Sequence, residues 1–233
     1  MKQWFKENST HLIIIAIFIV LVFFYFSPIF GGKTLAQSDV MQAEGSQKEL
    51  FDYRAKDGHA PLWTNSMFGG MPTYQIWYEH ASNVTSYLNR AIRAVFPVPT
   101  DIVLLYLLGG YFLFSVLRLK PWLSAVGAIA LAFTSYNFIY IEAGHVNKAY
   151  AIAYLAPIIG SVLLCYRGSR LWGPILLALF LAMEIRTNHV QITYYLFIAL
   201  LLYVGVELYY AIRDKKLKNF LQASALQVGA ALI

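Results

Sequence analysis

Charge is what this 233-residue chain has least of: Asp, Glu, Lys and Arg make up only 13% of it, about half the share of a soluble domain. That scarcity excludes an ordinary water-soluble enzyme and a disordered tail. A single cysteine, Cys165, excludes an internal disulfide and any CxxC redox or zinc motif. The chain also lacks a phosphate-cradling glycine loop, an HExxH helix, a serine-nucleophile elbow, low-complexity tracts and repeats of 20–50 residues. Hydrophobic residues fill the gap at 59%, with 16% aromatic.

These residues come in long blocks. Leu12–Phe30 has no charged residue, matching the ~20 apolar residues that cross a bilayer. Six complete spans are predicted, at 11–30, 101–118, 121–141, 146–166, 171–187 and 190–212, giving an all-α polytopic membrane protein. The first is too long for a signal-peptide core and no small-residue cleavage site follows, so it reads as an uncleaved anchor. A seventh span starts near Leu221 and has only 13 residues before the sequence stops, so a C-terminal remainder of the same protein is expected. The domain scheme is residues 1–30 (N-terminus and first span), 31–100 (a large loop), 101–220 (spans two to six) and 221–233.

Orientation follows from Lys and Arg in short loops. Lys2, Lys6, Arg118, Lys120, Arg167, Arg170, Arg213, Lys215, Lys216 and Lys218 fall on one side, and only Lys148 and Arg186 on the other. Ten against two places the N-terminus in the cytoplasm. The net charge of +6 is then mostly this bias, and nucleic acid is not an expected partner. The run Arg213–Lys218 reads as a solvated inside flank, and Cys165 as an inert, partly buried thiol.

The outer loop, residues 31–100, should be ordered, because structureless loops of that length are unusual. Val84, Tyr87, Leu88, Ala91, Ile92, Val95 and Phe96 recur at helical spacing. Ser82 or Asn83 can cap a helix over 83–96. Its apolar face and basic polar face predict that it lies parallel to the membrane, or packs on the loop. Gln42–Lys56 carries a weaker helical pattern. Pro61–Tyr74 reads as an ordered turn region, and Trp63, Tyr74, Trp77 and Tyr78 either stack on a sugar or anchor at headgroup level. Asn83-Val84-Thr85 matches a glycosylation sequon, a short pattern of little weight.

Three outer segments carry polar groups beside apolar spans, where such groups are costly and usually functional. They are Gln37–Asp39, Glu142–Lys148 and Glu184–Gln191. Their convergence under the loop would assemble a site for a substrate with a lipid tail and a phosphate-linked polar head. Asp39 is the candidate general base for a hydroxyl nucleophile. Lys148, Arg186, His145 and His189 are candidates to hold a phosphate leaving group, with Glu142 and Glu184 orienting them. Structural roles compete throughout: Asp39 as a helix cap, Glu142–Lys148 and Glu184–Arg186 as ion pairs, and the histidines as buried core groups. No cofactor is implied with certainty. A divalent metal on His145, His189, Asp39 and Glu142 is chemically allowed, but no tight ligand spacing marks one.

The order of a short N-terminus, one span, Gly32–Asp39, then Pro61-Leu62-Trp63-Thr64-Asn65-Ser66-Met67-Phe68-Gly69-Gly70-Met71-Pro72 and an amphipathic helix resembles the YfhO-like family of bacterial multi-spanning membrane proteins. The resemblance implies a GT-C-like helical bundle, that is, a C-type glycosyltransferase fold with a large first extracytoplasmic loop. It further implies a polyprenyl-phosphate sugar donor, an acceptor hydroxyl and a place in the bacterial inner membrane. Asp39 matches the position of the catalytic acidic residue, although Ser38 and Val40 flank it where that superfamily has a paired acid. A transporter or flippase for a lipid-linked or anionic solute is the alternative. It expects charges at span centres, where Glu207, near an inner end, is the one exception to an apolar pattern. A scaffold subunit of an envelope assembly is a third reading.

Overall fold

A computed structural model describes the backbone of residues 2–77 and 83–232 and the side chains from Asn8 onward. Tyr78, Glu79 and Ser82 lie outside the described residues, as do the side chains of Lys2 and Lys6. The apolar run forms α1 (Lys2–Tyr25), followed by the single turn α2 (Ser27–Phe30), so the first predicted span ends five residues early. Ile14, Phe18 and Val22, spaced by four, are buried against α5 (Thr100–Val116) and α6 (Pro121–Ala132). Over Leu12–Tyr25 the other faces of α1 are equally apolar but largely unburied; Val20 and Phe24 are among the exposed residues. A helix that is hydrophobic all round and buries only one stripe needs apolar surroundings on its other faces.

The centre of the bundle is α8 (Val146–Tyr166), packed on α5 and on α9 (Trp172–Ile185). Gly109 permits that closeness, since a Cβ there would lie 2.8 Å from Pro157 Cδ. The α6 helix breaks at Phe133-Thr134 and continues as α7 (Ser135–Ala143) with a 43° bend. Buried Asn137 satisfies the break by donating to the carbonyls of Leu131 and Ala132, at 2.9 and 3.3 Å. The last helices are α10 (Val190–Arg213) and α11 (Leu217–Ala231). The latter begins four residues before the predicted seventh span and packs on α8, α9 and α10.

Among the described residues, three helices are long and apolar enough to cross a membrane, and five if each bent pair counts as one span. The six predicted spans all fall on helices, but α9 has 14 residues. It rises about 21 Å, short of the ~30 Å hydrocarbon thickness.

The described part of the loop carries two long helices and a short ladder. Its weaker helical pattern understated α3, which runs Ser38–Asp57. The Pro61–Tyr74 region forms a two-residue antiparallel ladder, β1 (Trp63–Thr64) with β2 (Met71–Pro72), and folds onto α3. Glu49 makes that contact. Its carboxylate accepts from Thr64 Oγ1 and from the backbone N–H groups of Asn65 and Ser66, both at 3.1 Å. The Thr64 hydrogen bond is the main reason the Glu49 carboxyl sits below the ordinary glutamate range, outweighing desolvation, which acts the other way. A lowered carboxyl pKa stabilises the fold above its unfolded value and stops doing so as pH falls through the folded one. The 62–76 segment should therefore stay protease-resistant above about pH 5 and open in more acid solution, a change that Glu49→Gln should produce at neutral pH.

Next comes α4 (Val84–Val95), capped by Asn83, whose side chain accepts from Thr85 N at 2.9 Å. It meets α5 at 108°. Asn89 on its polar face is buried, whereas Val84, Tyr87, Ile92 and Val95 on its apolar face are largely exposed. The polar face looks into the protein and the apolar face looks out.

Candidate functional site at the loop end

The α7–α8 and α9–α10 turns and the start of α3 come together at the loop end of the bundle. Gly144 makes this possible. It ends α7 with φ +95°, a left-handed conformation that glycine adopts freely, and a Cβ there would come within 3.1 Å of Gln37 and Val40. Gln37, nearly buried, donates its amide to the Ile141 carbonyl and fastens the entry to α3 onto the end of α7. Gly144→Ala combines backbone strain of about 1–3 kcal/mol with that close contact, so it should lower the melting temperature and loosen α3. Hydrogen exchange over residues 38–50 would report it.

So docked, Asp39 Oδ2 lies 3.3 Å from His145 Nδ1. Asp39, His145, Lys148 and His189 line one cavity of about 370 Å³, together with Glu44, Gln47 and Asn147. Asp39 occupies the first turn of α3 behind the Gln37 cap position, so it is not the capping residue. Lys148 Nζ rests 3.9 Å from the centre of the Tyr140 ring, a cation–π contact that fixes its direction.

The remaining candidates lie elsewhere. Glu142 is exposed, does not line this cavity and makes no ion pair with Lys148; it sits on α7 before the Gly144 turn redirects the chain. Glu184 is fully buried and accepts from Thr193 Oγ1 at 2.9 Å, tying α9 to α10 without an ion pair to Arg186. Arg186 interacts electrostatically with Arg93, Tyr150 and Tyr154. Among the described residues, no group of three or more His, Cys, Asp or Glu side chains is placed to hold a metal ion.

Arg186 leads to a cluster that the spacing of residues had not revealed. Asp101, at the start of α5, accepts from Tyr150 Oη and lies 3.5 Å from Arg93 Nε, which also donates to Tyr150 Oη at 3.0 Å. The Asp101 side chain is 2% exposed. Asp101 and Tyr150 end an apolar groove of about 390 Å³ formed by α4, α5 and α8, with Ile92, Val95, Leu104 and Leu108 among its walls. Lys148 and Tyr150, two residues apart, point to nearly opposite sides of α8. The polar cavity and the apolar groove thus lie on opposite sides of the start of α8 and share no lining residue.

The α9–α10 turn runs along both. Glu184 Oε2, Arg186 Nε, Thr187 Oγ1 and His189 Nδ1 are buried side-chain atoms without a hydrogen-bond partner. Buried polar groups are normally paired, so four unpaired atoms in six residues make this turn unusual among the described residues. Of the sugar-stacking aromatics, Trp77 is engaged internally by Phe51 and Arg54, while Trp63 and Tyr74 are exposed.

No protein-family model, curated protein or solved structure matches the chain.

Proposed function

We propose that this chain crosses the bacterial cytoplasmic membrane several times with its N-terminus inside, and carries the catalytic end of a C-type glycosyltransferase of the YfhO-like kind. The observation that carries this reading is the gathering of Asp39, His145, Lys148 and His189 around one cavity, with an apolar groove on the other side of α8. The exposed apolar faces of α1, α4 and α10 and the ten-to-two bias of basic residues support the membrane setting. In that setting α4 lies in the outer interface, apolar face to lipid.

The chemistry is an inverting displacement. Asp39 takes the proton of an acceptor hydroxyl, and the oxygen attacks the anomeric carbon of a sugar linked to polyprenyl phosphate. The anomeric C–O bond to phosphate breaks with its electron pair going to the phosphate. Lys148, His145 and His189 stabilise the departing charge by charge-assisted hydrogen bonds. Arg186 and Arg93, with Asp101 as their one carboxylate neighbour among the described residues, draw the phosphate towards the groove, where the start of the lipid chain lies.

Transport is the less well supported reading. The polar cavity and groove at the loop end share no lining residue with the cavity at the opposite end, as a blind site does and a two-sided path does not. Full-length protein in liposomes, given a labelled sugar on polyprenyl phosphate, should transfer it to acceptor and leave a nucleotide-sugar donor untouched. Movement of the intact donor across the bilayer without transfer would overturn the proposal in favour of a flippase.

A further inference from the structure

The largest of the cavities described here, about 520 Å³, lies at the end opposite the loop, between the α8–α9 and α10–α11 turns. Two of the three helices long enough to cross a membrane, α8 and α10, end beside it. Tyr166 and Phe220 stack at 5.5 Å with rings 15° apart and form an apolar wall. Arg167 and Arg170 reach it from one turn and Lys216 from the other.

Two carboxylates share the cavity, and both are engaged. Asp214 accepts from Arg213 Nε at 2.8 Å, and Glu207 accepts from Tyr203 Oη. Arg170 donates to Gln222 at 2.8 Å. That leaves Arg167 and Lys216 without a carboxylate within 4 Å among the described residues. Asn219 and Phe220, in the first turn of α11, complete the wall, so the positive end of that helix faces the same space. Basic residues flanking a span ordinarily extend into water. Here exposed cations from two separate turns converge on the rim of one open cavity.

We infer that this cavity binds a phosphate-bearing anion through Arg167, Arg170 and Lys216, with the Tyr166–Phe220 wall taking the apolar part of the ligand. The phosphodiester of an anionic lipid headgroup has this chemistry, and so does a soluble phosphate. The inference is independent of sugar transfer at the loop end, and the test below needs no transferase activity.

Detergent-solubilised full-length protein is examined by native mass spectrometry with phosphatidylglycerol, with phosphatidylcholine and with inorganic phosphate. The parent protein should retain phosphatidylglycerol over phosphatidylcholine. Arg167→Gln with Lys216→Gln should reduce that retention about 20-fold, on the order of fivefold per cation. The charge-preserving pair Arg167→Lys and Lys216→Arg should keep most of it, which separates lost charge from lost fold. Lys56→Gln, in the loop, should change nothing. Displacement of the lipid by millimolar inorganic phosphate would assign the site to soluble phosphates, whereas resistance would assign it to lipid. Equal retention by parent and double variant, or equal loss in Lys56→Gln, overturns the inference.

Discussion

Asp39→Asn should lower the rate of sugar transfer by 10²- to 10⁴-fold at saturating donor, the usual contribution of a positioned general base. The amide keeps the shape and the hydrogen-bonding reach of the carboxylate but cannot take the acceptor proton. Stability should barely change. Asp39 and His145 are 40% and 50% exposed at the side chain, and ion pairs that open to solvent are worth about 0–1 kcal/mol. Steady-state transfer assays together with thermal melts check both parts. A variant that melts like the parent and turns over within twofold of it would remove Asp39 from the chemistry.

The second large effect is structural. Asp101→Leu should destabilise the protein by about 2–3 kcal/mol, towards the low end of what breaking a buried pair costs, because Arg93 keeps partial access to solvent. The leucine deprives Tyr150 Oη, Arg93 Nε and the Ile102 N–H of their common acceptor. Since Arg93 ties α4 to α5 and α8 through Asp101 and Tyr150, its release should loosen α4. Amide exchange over 84–95 should accelerate more than exchange in α8. Asp101→Asn keeps an acceptor for Tyr150 and Ile102 and should cost less. Unchanged exchange in α4 after Asp101→Leu would show that the groove is held together by something else.

The helices were legible where pattern and punctuation agreed. The α4 helix could be read from seven apolar positions at helical spacing and from Asn83 as its cap, because both signals are local. Its orientation could not, since the reason its polar face turns inward is Asp101, on the next element. The docking of Asp39 on His145 was visible only as a shared compartment. What makes it a contact is Gly144, whose missing side chain leaves room for Gln37 and Val40. Arg186 and His189 sit three residues apart and were read as partners. The turn between them, with Asn188 at φ 56°, sends one towards Arg93 and the other towards Asp39. Glu142 and Glu184 looked equivalent in sequence because each closes a helix at the same end. Rotation about the helix axis, which composition does not encode, leaves one in the open and buries the other.

The claim that these pieces form a single site is tested most directly by a structure of the full-length protein with a polyprenyl-phosphate analogue bound. The phosphate should lie within hydrogen-bond distance of Lys148 or His189 and near Arg186. The first isoprene units should run along the groove between Ile92, Val95, Leu104 and Leu108, under α4. Density for the analogue between α8 and α10 at the opposite end, with the Asp39 cavity vacant, would contradict it.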